Sequence, residues 1–235
     1  MNREYHRWYS QHLGHDMELL VFGHGGTPYV VFPSSMGSFF EYEDSGMVAA
    51  IAEKLRHGAL QLFCVSSVDR ESWYNRAAHP RHRVDRALAY ERYLLNDVVP
   101  LVRHRNRNAI GVTGCSFGAY QALTFALRHP DVVSSCVAMS GAFGIHQFLD
   151  GYYDQDCYFL SPPDFLPRLE DAWYLDRYRR HKWLLTTGEH DICLADNERM
   201  SNLLSAKGVS HSLHVWQGMW HDWPWWQKMA AAYLP

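Results

Sequence analysis

The sequence has no large excess of charge of either sign: 22 Lys and Arg against 25 Asp and Glu leave a formal net charge of -3. Bulk electrostatics therefore gives no argument for nucleic acid or an anionic membrane as partner. A local basic run such as Arg103-His104-Arg105-Asn106-Arg107 reads as a solvated helix end, where the helix dipole favours cations. No uninterrupted apolar run approaches the roughly 20 residues that cross a bilayer, so no membrane span is expected. The start, Met1 to Trp8, is polar and lacks the apolar core of a secretory signal. The expectation is a cytoplasmic protein, or else the mature form of a secreted one.

Paired cysteines are also lacking. Cys64, Cys115, Cys136, Cys157 and Cys193 are odd in number and show no paired-ligand spacing, so reduced core thiols are expected. The histidines supply no metal site either. His211 and His214 lie three apart on a presumed strand and point to opposite faces, and His79 and His82 flank Pro80 without a second ligand pair. No metal and no cofactor is expected. Repeats and low-complexity segments are absent from the chain.

What is present is enough apolar material for one sizeable core. A chain of 235 residues, 47% of them hydrophobic, fits one domain over residues 1–235 better than two. The oligomeric state is left open, a homo-oligomer included. Met17 to Phe22 and Tyr29 to Phe32 are apolar runs separated by the turn-rich Gly23 to Pro28, which predicts a hairpin between them. Ser45 to Gly58 reads as a helix, and Leu60 to Val68 as a strand buried on both faces. A long helix follows the loop Asp69 to Arg76, with a kink or a new turn expected at Pro100. Further strands are read at Asn108 to Thr113, Val132 to Met139, Lys182 to Thr187 and His211 to Trp216, with helices between them. This alternation predicts an α/β fold: a mostly parallel central sheet with helices on both faces and an antiparallel hairpin at one edge. The aromatic and proline-rich stretch 145–180 breaks the rhythm and is expected to be a small insertion, a cap over the carboxyl edge of the sheet.

Gly114-Cys115-Ser116-Phe117-Gly118 has the form G-x-S-x-G between a predicted strand and a predicted helix, the context of a nucleophile elbow. A free serine hydroxyl is a poor nucleophile, so it needs a base within reach and a carboxylate to orient that base. In this topology both partners follow the serine, each on a loop past a late strand. Past Trp183 to Thr187 comes Gly188-Glu189-His190-Asp191, and past His211 to Trp216 comes Gly218-Met219-Trp220-His221-Asp222-Trp223. Ser116, Asp191 and His221 are thus the candidate catalytic residues; Glu189 is the nearest competitor for the acid, and Asp196 a more distant one. Donors to an oxyanion are expected from the Phe117 N–H and from the loop Pro33 to Gly37, at Ser35 or Met36. Aromatic residues near the expected pocket are Phe39, Phe40, Tyr42, Trp73, Tyr74, Trp220 and Trp223. Phe39, Trp73, Tyr74 and Trp220 are the candidate substrate contacts.

With these residues in hand, the chain resembles the putative-esterase family of α/β-hydrolases, which includes esterase D-like, feruloyl-esterase-like and mycolyltransferase-like proteins. The similarity runs from Tyr29 to Trp226 and is most specific at the elbow, at Gly188-Glu189-His190-Asp191 and at Gly218 to Trp223. The resemblance implies Ser116 as nucleophile, His221 as base and Asp191 as acid; it does not fix the substrate, and a small-molecule ester is the expected partner. Where many relatives carry His-Gly after the early strand, this chain has Pro33-Ser34. A serine carboxylic-ester hydrolase is the expected activity; acyl transfer, thioester hydrolysis or ligand binding without catalysis are the alternatives on the same fold.

Overall fold

The computed structural model describes residues 2–235. Its strands are β1 (Arg3–Ser10), β2 (His15–Phe22), β3 (Thr27–Phe32), β4 (Leu60–Val65), β5 (Ile110–Cys115), β6 (Val133–Met139), β7 (Lys182–Gly188) and β8 (Ser212–Trp216). They form one sheet in the order β1-β2-β4-β3-β5-β6-β7-β8. β2 pairs antiparallel with both β1 and β4, and every other pairing is parallel, so β2 alone runs against the rest.

The edge hairpin therefore exists, but it joins β1 to β2, not β2 to β3 as the sequence suggested. The reason lies in the spacer. Gly23 to Gly26 are four residues, whose extended reach of about 13 Å exceeds the roughly 10 Å between next-nearest strands, so the chain can step over one strand position. A Cβ on Gly26, at φ +79, would lie 2.1 Å from the Ala59 carbonyl carbon, so the crossing chain runs hard against the start of β4. β4 fills the skipped position, delivered there by α1 (Glu41–Asp44), α2 (Met47–Ala50) and α3 (Ala52–Arg56). β1 escaped the sequence reading because it is an edge strand. Its residues alternate between exposed and half-buried and carry Arg3, Glu4 and Arg7, the charge that keeps an open edge from pairing with another chain.

The remaining helices are α4 (Pro80–Tyr93), α5 (Val99–Arg105), α6 (Phe117–Arg128), α7 (Gln155–Phe159), α8 (Pro162–Phe165), α9 (Ala172–Tyr178), α10 (Leu194–Ala206) and α11 (Trp223–Tyr233). Successive residues of the central strands point to opposite faces. Val30 and Phe32 belong to the same core cluster as Val84, Tyr93, Leu123 and Phe125 on one face, whereas Val31 belongs with Met47, Leu55 and Met229 to the cluster on the other. All five cysteines are buried and unpaired within these layers. Between α4 and α5 the backbone widens into a π turn over Leu94–Val98, immediately before Pro100. Pro100 has no N–H and would clash with the carbonyl four residues back in a regular helix, and the wider turn accommodates both deficits without ending the helix.

The insertion between β6 and β7 brings Phe148 against Tyr74 and Phe117, while Tyr178 and Arg128 tie its outer part to α6. Among the described residues no helix is long and apolar enough to cross a membrane.

Candidate active site

Ser116 stands between β5 and α6 with φ 56 and ψ -121, a conformation that costs a non-glycine residue about 1–3 kcal/mol and survives only where its surroundings enforce it. Here they do. The Ser116 N–H donates to Met139 O at 2.9 Å, and its carbonyl accepts from Ala142 N at 3.2 Å. The flanking glycines let three backbones converge. A Cβ on Gly114 would sit 2.4 Å from the Gly118 carbonyl, and one on Gly118 would sit 2.4 Å from Pro33 O. Only glycine fits at either place, so the start of α6 lies directly against the end of β3.

The turn after β7 supplies Asp191 and the loop after β8 supplies His221, and the three side chains meet. His221 Nε2 lies 2.9 Å from Ser116 Oγ, and His221 Nδ1 lies 2.8 Å from Asp191 Oδ1. The Asp191 side chain is fully buried and also accepts from Cys193 N at 2.7 Å. Burial alone would raise its carboxyl, but the hydrogen bonds from His221 and the Cys193 N–H outweigh that and hold it below the ordinary carboxylate value. Glu189, the competing acid, accepts from Gly218 N at 3.1 Å and so joins the two loops instead of meeting the imidazole. Asp196 lies in the first turn of α10. Behind the triplet, Trp226 donates from Nε1 to Ser140 Oγ at 2.8 Å, and its ring packs edge-on to His221 with centroids 4.9 Å apart.

Two carboxylates hold the loop after β3. Glu41 accepts from both Ser34 N and Ser34 Oγ at 2.7 Å, and Asp69 Oδ2 accepts from Met36 N at 2.8 Å. The Met36 N–H is therefore already committed, which corrects the expectation that it could serve an oxyanion. Among the described residues the Ser35 N–H between them makes no hydrogen bond, and neither does the Phe117 N–H at the start of α6. Tyr74 bridges the two: its hydroxyl donates to Ser35 Oγ at 2.7 Å and its ring meets Phe117 edge-on.

The aromatic residues divide. Trp220 is 60% exposed beside His190, and Tyr74 is half-buried, so both can meet a ligand. Trp73 cannot. It is 3% exposed and packed inward against Tyr120 and Phe148, which corrects its reading as a substrate contact. Phe39 packs on Tyr5 and Phe40, on the side of the edge hairpin. Asp191, Cys193 and His221 are the one group of three metal-ligating side chains found together among the described residues, and the Asp191–His221 hydrogen bond already uses two of its ligand atoms.

Sequence reading did not single out Asp69, Ser140 or Gln121. The first two carried a usable signal: each is a polar residue just past the carboxyl end of an apolar strand, where open α/β sheets place their sites. Arg83 carried none. It is 1% exposed and donates to the carbonyls of Asn75, Arg76 and Phe148 and to Asp150, holding the loop that bears Tyr74 against the insertion.

Among solved structures, a ferulic acid esterase superposes with a TM-score of 0.80 at 15% identity, covering 100% of this chain and 96% of that one. An S-formylglutathione hydrolase from Agrobacterium tumefaciens gives 0.74 at 15% identity, covering 99% and 92%. MPT51 (FbpC1) of Mycobacterium tuberculosis gives 0.73 at 12%, covering 99% and 96%. These similarities establish the α/β-hydrolase fold. No curated protein sequence matches the chain. The family described as putative esterase matches residues 10–234, a span that takes in the elbow and both late loops. The chain accordingly belongs to the putative-esterase family and is a carboxylesterase-type hydrolase.

Proposed function

We propose that the protein hydrolyses small or medium carboxylic esters through an acyl-enzyme formed on Ser116, with His221 as general base and Asp191 as its orienting acid. The observation that carries this reading is the pair of hydrogen bonds on opposite nitrogens of one imidazole, 2.9 Å to Ser116 Oγ and 2.8 Å to Asp191 Oδ1. Asp191 accepts from Nδ1–H, which leaves the lone pair of Nε2 facing the serine hydroxyl. As Oγ attacks the ester carbonyl, its proton passes to Nε2, and the imidazolium that forms is stabilised by the buried carboxylate. Negative charge gathers on the carbonyl oxygen, where the unpaired N–H groups of Ser35 and Phe117 donate to it. The proton on Nε2 then goes to the leaving alkoxide, and water repeats the sequence to release the acid. Trp220 and Tyr74 offer apolar faces to the acyl or alcohol part.

The test is turnover of a short-chain p-nitrophenyl ester, with an initial burst of p-nitrophenol. Ser116→Ala should reduce kcat by several powers of ten, as removal of a triad nucleophile does. Retention of most activity in that variant would overturn the proposal. Thioester hydrolysis is a second reading, supported by the likeness to an S-formylglutathione hydrolase. Competition between a thioester and an oxyester of the same acid separates the two.

A further inference from the structure

The loop after β3 and the N-terminus of α6 come from distant parts of the chain, yet the spacing of their N–H groups must be held closely if both are to donate to one oxygen. A third element joins them. Asp69 lies just past the end of β4 and is 1% exposed. One of its oxygens, Oδ2, accepts from Met36 N, and the other, Oδ1, accepts from Gln121 Nε2, both at 2.8 Å. Met36 immediately follows Ser35 and takes a left-handed φ of 57. Gln121 lies on α6 four residues after Phe117, so it occupies the next turn of the same helix face. From the same end of β4, Ser67 Oγ donates to Gly37 O at 2.8 Å, fixing the far side of the loop.

We propose that Asp69 is the positioning residue of the oxyanion hole: its two carboxyl oxygens clamp the Ser35 loop to α6 and so set the separation of the Ser35 and Phe117 N–H groups. This rests on the ester-hydrolase reading of Ser116. A hydrophobic residue could fill the same space, but it would leave the Met36 N–H and the Gln121 amide without partners. Among the described residues Asp69 forms no salt bridge. Its neighbours are Glu41 under the loop, Tyr74 on the loop that Asp69 itself begins, Tyr90 and Glu91 on α4, and Tyr120 on α6. Keeping an ionisable carboxyl in such a place is explained by the geometry that its two acceptors impose.

The native Gln121 Oε1 is buried without a partner, which makes one variant diagnostic. In Asp69→Asn, the new amide can accept from Met36 N and donate to Gln121 Oε1 once that amide turns over. The clamp then persists without the charge. In Asp69→Ala it is cut on both sides. With p-nitrophenyl acetate, Asp69→Ala should lose about 10–100-fold in kcat with KM within about threefold, the effect of misplacing donors by an ångström or less. Its affinity for a trifluoromethyl ketone, which forms an oxyanion on Ser116, should fall by the same factor. Asp69→Asn should restore kcat to within about threefold of wild type. Unchanged kcat in Asp69→Ala, or Asp69→Asn as impaired as Asp69→Ala, overturns the clamp. Should Asp69→Ala fail to fold, Gln121→Met, which cuts the helix side alone, must lower kcat with KM unmoved; native kcat there overturns it equally. A wild-type protein without turnover or fluorophosphonate labelling at Ser116 overturns the hydrolase reading itself, whereas an active wild type with native-like variants overturns the clamp alone.

Discussion

Replacing Asp69 by Asn should make the protein more stable above neutral pH, and by an amount that depends on pH in a defined way. Burial raises the Asp69 carboxyl from its ordinary 3.8 to about 7; the hydrogen bonds from Met36 N–H and Gln121 recover part of that cost, and the like charge of Glu41 adds to it. A folded value above the unfolded one means that the group's contribution is fully present below about pH 4 and is lost as pH rises through about 7. At about 1.4 kcal/mol per pH unit, the whole loss is about 4 kcal/mol. About 3 kcal/mol of it falls between pH 5 and pH 8.5. Asp69 is enclosed, so solvent does not screen the effect. Asn is neutral throughout and escapes it. Urea unfolding of both proteins, followed by tryptophan fluorescence at intervals from pH 5 to 8.5, should show the stability of Asp69→Asn gaining on wild type by about 3 kcal/mol across that range. In thermal scans a gain of that size moves the relative Tm by about 6–12 °C for a chain of this length. Two stability curves that stay parallel within about 0.5 kcal/mol over the range would refute the reasoning.

Other perturbations probe the frame around the serine. Gly118→Ala places a Cβ 2.4 Å from Pro33 O and 2.5 Å from Phe32 O, backbone atoms that cannot rotate away. α6 must then move off the loop, and kcat should fall about 100-fold while circular dichroism stays native. Ser116→Gly and Ser116→Ala should both lack turnover, but the glycine variant should be the more stable of the two by about 1 kcal/mol in urea titrations. Relief of about 1–3 kcal/mol of backbone strain exceeds the roughly 0.4–1 kcal/mol that glycine loses through the unfolded chain. Arg83→Met strips partners from three buried or half-buried carbonyls and from Asp150, and should lower unfolding free energy by about 3–5 kcal/mol in the same titrations.

The features legible in the sequence are those with a period or a fixed slot. β4, β5 and β7 read as strands because a strand buried on both faces is apolar almost throughout, and Asp191 and His221 could be found because the topology reserves the loops past late strands for them. β1 has neither advantage. An edge strand open to solvent resembles a loop in composition, so the apolar pattern points to β2 and β3 as the hairpin although β1 and β2 form it. Trp73 and Tyr74 are adjacent in an irregular loop, one buried and one half-buried, and no periodicity exists there to say which is which. The bond from Met36 N to Asp69 depends on where β4 ends relative to β3, a register fixed only when the sheet is assembled.

Trp226 has a use beyond anchoring α11. Its indole packs edge-on to the imidazole of His221 and donates to Ser140 Oγ, so its emission is expected to respond when that imidazole takes up a proton. Eight other tryptophans contribute background, which the difference spectrum against Trp226→Phe removes. What remains is an optical gauge of the base, already wired into the protein, able to follow proton arrival during a stopped-flow burst without any added dye.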